Sequence, residues 1–116
     1  MPNRTTMFPI AHEKLVAYQV ACDLLVIIVG ARLRDSGLRD QALRAAQSAC
    51  LNIAEANGRA SPADRRRVFA IARGEAAEAI AAMHVASLSG ACSTEHGDKS
   101  REIGSRLLAL LGGLLR

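Results

Sequence analysis

Aromatic side chains are nearly missing from this chain of 116 residues: it has no Trp, one Tyr and two Phe. Half of the residues are nevertheless apolar, so the core must be built from Ala, Leu, Ile and Val, which suits helix packed on helix. Few flat side chains also mean few stacking platforms, which argues against sequence-specific reading of single strands. Cysteine is scarce too. Cys22, Cys50 and Cys92 are odd in number, far apart and set in apolar surroundings, with no Cys-x-x-Cys. That excludes a disulfide framework and predicts reduced, buried thiols in a cytoplasmic protein. No basic segment followed by an apolar run opens the chain, so no signal peptide is indicated. The longest apolar stretch, residues 20–31, is interrupted by Asp23 and falls short of the ~20 residues that cross a bilayer. No membrane partner is expected.

The marks of catalysis are also absent. There is no Gly-x-Ser-x-Gly, no phosphate-cradling Gly-rich loop and no His-Glu-x-x-His. His12, His84 and His96 lie on separate elements without metal-ligand spacing. The paired Glu-x-x-His of di-metal bundles is missing. The sequence therefore predicts no catalytic residues, no metal, no cofactor and no small-molecule substrate.

What is present is helical pattern and positive charge. A chain this long makes one domain with a core that needs no staples. The formal net charge is +4 and the sequence pI is about 9.5. Thirteen of the fifteen basic residues are Arg, the side chain suited to bidentate phosphate or carboxylate contacts. Residues 41–59 organise the rest. At about 100° per residue, Ala42, Ala45, Ala46, Ala49, Cys50, Ile53, Ala54 and Ala56 share one broad face. Gln41, Arg44, Ser48, Asn52 and Glu55 form a polar ridge opposite. An alanine face lets partner helices approach toward the short end of the ~8–10 Å range.

The other helices follow in order. Residues 1–11 hold Pro2, Pro9 and polar residues without period, and read as an N-terminal arm. A helix is predicted over residues 12–34 with the stripe Leu15, Tyr18, Cys22, Leu25, Val29 and Leu33. Its middle is apolar on almost every side, with Asp23 the one polar marker. Burial on two sides, hence self-association, is the reading. Residues 34–38 connect to the alanine-faced helix, which Asn57-Gly58 stops, with Gly58 expected in the left-handed position past its end. Ser61-Pro62 starts a third helix over residues 62–88, with Val68, Phe69, Ala72, Ala76, Ala79, Ile80 and Met83 inward. Arg66, Arg73 and His84 share one edge of it. Residues 89–97 read as a loop from which Ser93 caps a fourth helix. That helix turns Ile103, Leu107, Leu110 and Leu114 inward. The expected architecture is all-α: residues 12–116 as an antiparallel up-down-up-down four-helix bundle that self-associates.

Two clusters are candidates for function. Arg59, Arg65, Arg66, Arg67 and Arg73 gather around the end of the second helix and the start of the third. Repeated around an oligomer they would form a basic belt for RNA or DNA, bound through phosphates and sensitive to salt. Glu55 and Glu78 form the second, a candidate carboxylate pair between those helices. Its favoured role is an ion-pair network with Arg44, Arg59 or Arg73 that sets register. The alternative to nucleic-acid binding is a protein-interaction scaffold in which Arg44, Ser48, Asn52 and Glu55 meet a partner or the next subunit.

These residues also carry a resemblance. Arg44-Ala45-Ala46, Ser48 and Asn52-Ile53-Ala54-Glu55 resemble the "RAA-x-S…NIAEG" motif of four-helix-bundle proteins found as reading frames inside intervening sequences of 23S rRNA genes. Leu15, Tyr18, Gln19 and Ala21 resemble that family's "L-x-V-W-Q-x-A", with Tyr18 at the usual Trp. Ile71-Ala72, Gly74, Ala77 and Glu78 resemble its third-helix motif, and Gly90 and Ser93 its last turn. Cys50-Leu51 stand where the family has Pro-Ser, Ala56 where it has Gly, and Glu75 where it has Ser. The resemblance implies a ring-shaped homopentamer. It makes Tyr18, Arg44, Ser48, Asn52, Glu55 and Glu78 structural or interface residues. It also implies rRNA or other nucleic acid as a partner, since relatives of the fold act as nucleic-acid-binding accessories of a retroelement reverse transcriptase.

Overall fold

The computed structural model describes residues 10–116. A 3-10 helix, Ala11–Lys14, precedes four α-helices: α1 Val16–Ala31, α2 Ser36–Gly58, α3 Pro62–Leu88 and α4 Thr94–Leu114. No strand occurs among the described residues, and the four helices pack as a bundle. Of the arm predicted over residues 1–11, residues 1–9 lie outside the described residues, and Ala11 opens the 3-10 helix.

Three helices begin as local chemistry dictates. Asp35 Oδ1 accepts from the Leu38 N–H at 2.9 Å, Ser61 Oγ from the Asp64 N–H at 3.1 Å, and Ser93 Oγ from the His96 N–H at 3.1 Å. Each satisfies an N–H that the first helical turn leaves without a partner. α1 has no side-chain cap. The helix predicted over residues 12–34 is instead broken at both ends. Leu15 is extended (φ −77°, ψ 122°) and separates the 3-10 turn from α1. Arg32 is left-handed (φ 48°, ψ 57°) and turns the chain so that Leu33 is buried. A side chain in that conformation costs about 1 kcal/mol that Gly avoids. Arg32→Gly should therefore raise the urea midpoint by the equivalent of about 0.5–1 kcal/mol.

α2 and α3 make the most extensive pairing in the bundle. Ala42, Ala45, Ala46, Ala49 and Ala56 of α2 are buried, as are Ala72, Ala76, Ala79, Ala82 and Ala86 of α3. Ile53, Val68, Phe69 and Met83 fill the space that alanines leave. The core stripe predicted for the first helix is rotated. Ala17, Val20, Ala21, Leu24 and Ile28 are the buried side chains of α1, whereas Leu15, Tyr18, Cys22 and Leu25 are half-buried and Val29 is exposed. Both sets have helical spacing and lie about 100° apart; only the positions of α2 and α4 select between them.

The links hold the ends together. α3 ends in a Schellman turn: the Ala91 N–H donates to Ala86 O at 2.8 Å and the Gly90 N–H to Ser87 O at 3.3 Å. Gly90, at φ 77°, is the left-handed residue this turn requires. The Arg34 N–H donates to Ala91 O at 2.9 Å, so the α1–α2 link is tied to the α3–α4 link. At α2 the expected left-handed Gly58 is not found. Gly58 is the last helical residue, and Arg59 leaves in an extended conformation (φ −76°, ψ 143°). The reason is the short link: Arg59 runs straight into the Ser61 cap of α3, leaving no room for a left-handed reversal.

α4 meets α3 through small residues. Gly97, Ser100 and Gly104 lie on one face of α4 with Leu107 and Leu111. A Cβ on Gly104 would stand 2.6 Å from Ile80 Cγ1, and one on Gly97 2.8 Å from Ser87 Oγ. Ser100, fully buried, donates its hydroxyl to Gly97 O at 2.9 Å, so its burial leaves no donor unpaired.

Candidate nucleic-acid interface

The five arginines predicted as one belt separate into two sets. Asp64, in the first turn of α3, accepts from Arg59 Nη1 at 3.2 Å and pairs with Arg67 Nη2 at 2.9 Å. Arg59 also pairs with Glu55 one turn earlier on α2. The hydrogen bond that Arg59 donates to Glu55, with the nearby Asp64 charge, holds its guanidinium above its ordinary range. Two carboxylates thus answer two guanidiniums, and this α2–α3 edge is locally neutral. Arg65, Arg66 and Arg73 form no ion pair among the described residues. Arg65 and Arg66 line a small cleft with Phe69, Leu114 and Arg116. Arg73 points toward α4, where a Cβ on Gly112 would lie 3.9 Å from its Nε. Farther along the same α3–α4 seam, His84 faces Asp98 and Arg101 across a groove. Arg66, Arg73 and His84 do share one edge of α3, and that edge borders α4.

Glu55 and Glu78 are not a pair. Glu78 accepts from Gln41 Nε2 at 3.1 Å, whereas Glu55 belongs to the Arg59 network. The two sit at opposite ends of the α2–α3 contact, because the start of α2 lies beside the later part of α3. Arg44 is exposed and unpaired among the described residues. Asn52 turns back on its own helix, donating to Ser48 O at 2.8 Å and Ser48 Oγ at 3.1 Å. Tyr18 stacks edge-on against His12, with centroids 4.7 Å apart. Sequence reasoning missed Arg101 and Arg116 as members of the basic face. It also missed Gly104, whose spacing from Gly97 and Ser100 was a readable sign of a close helix contact.

The thiols are free; Cys50 and Cys92 are buried and Cys22 is half-buried. Cys22 lies against both Tyr18 and Cys50, joining residues distant in sequence. Burial, reinforced by the adjacent Cys22, pushes the Cys50 thiol up to about 12. The hydrogen bond with Cys22 raises the Tyr18 hydroxyl, and burial raises Cys92. The unfolded chain therefore loses its thiol protons from about pH 8.5, while folded Cys50 keeps its own to about pH 12. Stability should fall as pH rises through that window. Urea midpoints between about pH 8 and pH 10 should decline, and Cys50→Ala should flatten the decline.

The chain matches the family model of the 23S rRNA-intervening sequence protein over residues 13–113. It belongs to that family. The match takes in α1 to α3, all of α4 but its last residue, and every motif residue from Tyr18 to Glu78. No curated protein matches the chain. Among the described residues of this family member, no helix is long and apolar enough to cross a membrane.

Proposed function

We propose that this family member is a non-enzymatic, cytoplasmic RNA-binding protein that works as an oligomer and grips structured RNA through the α3–α4 face. The observation that supports this is the division of charge. Arg59 and Arg67 are occupied by Glu55 and Asp64, while Arg65, Arg66 and Arg116 share a cleft and Arg73 and Arg101 continue along the seam. Unpaired guanidiniums in a row suit phosphates, and they make binding salt-dependent. The family's name concerns 23S rRNA, which makes structured RNA the first partner to test. A mobility-shift titration across salt tests it: binding should be tight at low salt and fall steeply as salt rises. No binding at low salt would end this reading.

The assembly belongs to the same proposal. The helices alternate in direction, as the Gln41–Glu78 and Arg59–Asp64 contacts at opposite ends of α2 and α3 support. The four helices form the bundle, and copies associate into a ring-shaped homopentamer. Val26 at 68% exposure and Leu51 at 71% leave apolar side chains in water on α1 and α2, a surface suited to a second copy. Light scattering should give a mass near five protomers, and Leu51→Glu with Val26→Glu should lower it. A monomer at high concentration, or a mass that ignores both substitutions, would exclude self-association through this face.

A further inference from the structure

The α3–α4 seam opens into a groove of about 510 Å³, within the ~300–1,000 Å³ of small-molecule sites. The groove follows from the packing. Ile80 lies where Gly104 has no side chain, while Ala77, Ala81 and Gly97 leave the space beyond unfilled. Ile80 and Leu108 give it an apolar floor; the exposed Ala81 and His84 from α3 and Asp98 and Arg101 from α4 stand at its rim. The rim groups are exposed and form no ion pair among the described residues.

This set of groups discriminates among ligands. A purely apolar helix would desolvate His84, Asp98 and Arg101 and leave them without partners, which disfavours it. An acidic peptide would meet Arg101 but set its carboxylates beside Asp98. A nucleotide meets every element: its base offers a flat face to the Arg101 guanidinium and the His84 ring. Its amino or hydroxyl groups can donate to Asp98, and its ring edge suits the aliphatic floor. The phosphates of neighbouring nucleotides in the strand would continue toward Arg73, eleven residues from His84 or roughly 16 Å along α3. We propose that the α3–α4 groove takes the base and ribose of one unpaired ribonucleotide, stacked between His84 and Arg101, with Asp98 accepting a hydrogen bond. This rests on the RNA-binding reading above and adds a preference for RNA with an unstacked base. It also supplies stacking groups that a count of aromatics does not reveal.

The test compares a labelled single-stranded RNA hexamer with a blunt RNA duplex, both titrated against the full chain at one salt concentration. Ala81→Trp fills the groove from an exposed position. It should weaken hexamer binding about tenfold or more, in line with ~1–3 kcal/mol per stacked base, and leave duplex binding within about twofold. Arg101→Lys keeps the charge but loses the plane; it should weaken the hexamer alone by several-fold. Since the chain has no Trp, Leu88→Trp at the groove places a single reporter there. The hexamer should quench it, and the duplex should not. Equal loss for both RNAs, no loss for either, or a fall in assembly mass with hexamer binding unchanged would overturn the groove site. Duplex binding without hexamer binding would overturn it too, leaving the basic face standing. Failure of both RNAs to bind the parent chain would remove both readings.

Discussion

Alanine at Arg65, Arg66 and Arg73 together should weaken RNA binding on the order of 100-fold at low salt. Each phosphate contact adds about 0.9 to the slope of log K against log salt on a duplex. Three lost contacts should therefore lower that slope by roughly 2–3. The paired control is the double substitution Glu55→Ala with Arg59→Ala, which leaves net charge unchanged. Arg59 already gives its donors to Glu55 and Asp64, so a phosphate would have to displace them. Affinity should stay within about threefold and the slope unchanged, as expected where a neutral surface pair has been deleted. Mobility shifts at four or five salt concentrations separate these outcomes. Equal losses in the two variants would mean that the charge division between the two edges has no bearing on binding.

The largest stability effects should come from the buried face of α4, in two opposite ways. Leu107 is fully buried. Leu107→Ala removes its transfer energy and leaves a cavity, at a cost of about 2–5 kcal/mol. Against a typical total of ~5–15 kcal/mol, that brings the bundle close to unfolding. Gly104→Ala, one turn earlier, adds only a methyl group but drives it to 2.6 Å from Ile80 Cδ1 and Cγ1. Helix propensity favours Ala by up to ~1 kcal/mol. The overlap should outweigh that gain, for a net loss of about 1–3 kcal/mol. Ile80→Ala in the same chain removes the colliding atoms and should recover most of the loss from Gly104→Ala, but none of that from Leu107→Ala. Urea titrations at one fixed protein concentration measure both, since association would otherwise shift the midpoints. A Gly104→Ala chain as stable as the parent would mean that α4 can move off α3 at little cost.

Some of this was legible in the residues. Ser61-Pro62 and Ser93 announce α3 and α4 because a cap acts within three residues of itself. The alanine face of α2 is visible because its opposite side is polar. α1 was harder. Its apolar residues run almost all the way round, so Tyr18-Cys22-Leu25 and Ala17-Ala21-Leu24 fit the helical period equally well. The left-handed Arg32 had no local signal, since nothing in that side chain favours the conformation. Among the candidate site residues, sequence showed the charges but not their partners. Arg59 and Arg67 look like Arg65 and Arg66 until the α2–α3 link brings Asp64 between them.

The chain's own order of residues determined four helices, where most of them begin, the alanine surface of α2 and a surplus of arginine. Each depends on interactions spanning no more than about one helical turn. Tertiary structure alone decided which face of α1 is buried, which arginines remain available, and that His84 and Arg101 stand across one groove. Those outcomes depend on how rigid helices settle against one another. A single glycine opposite Ile80 sets that approach as firmly as any charge.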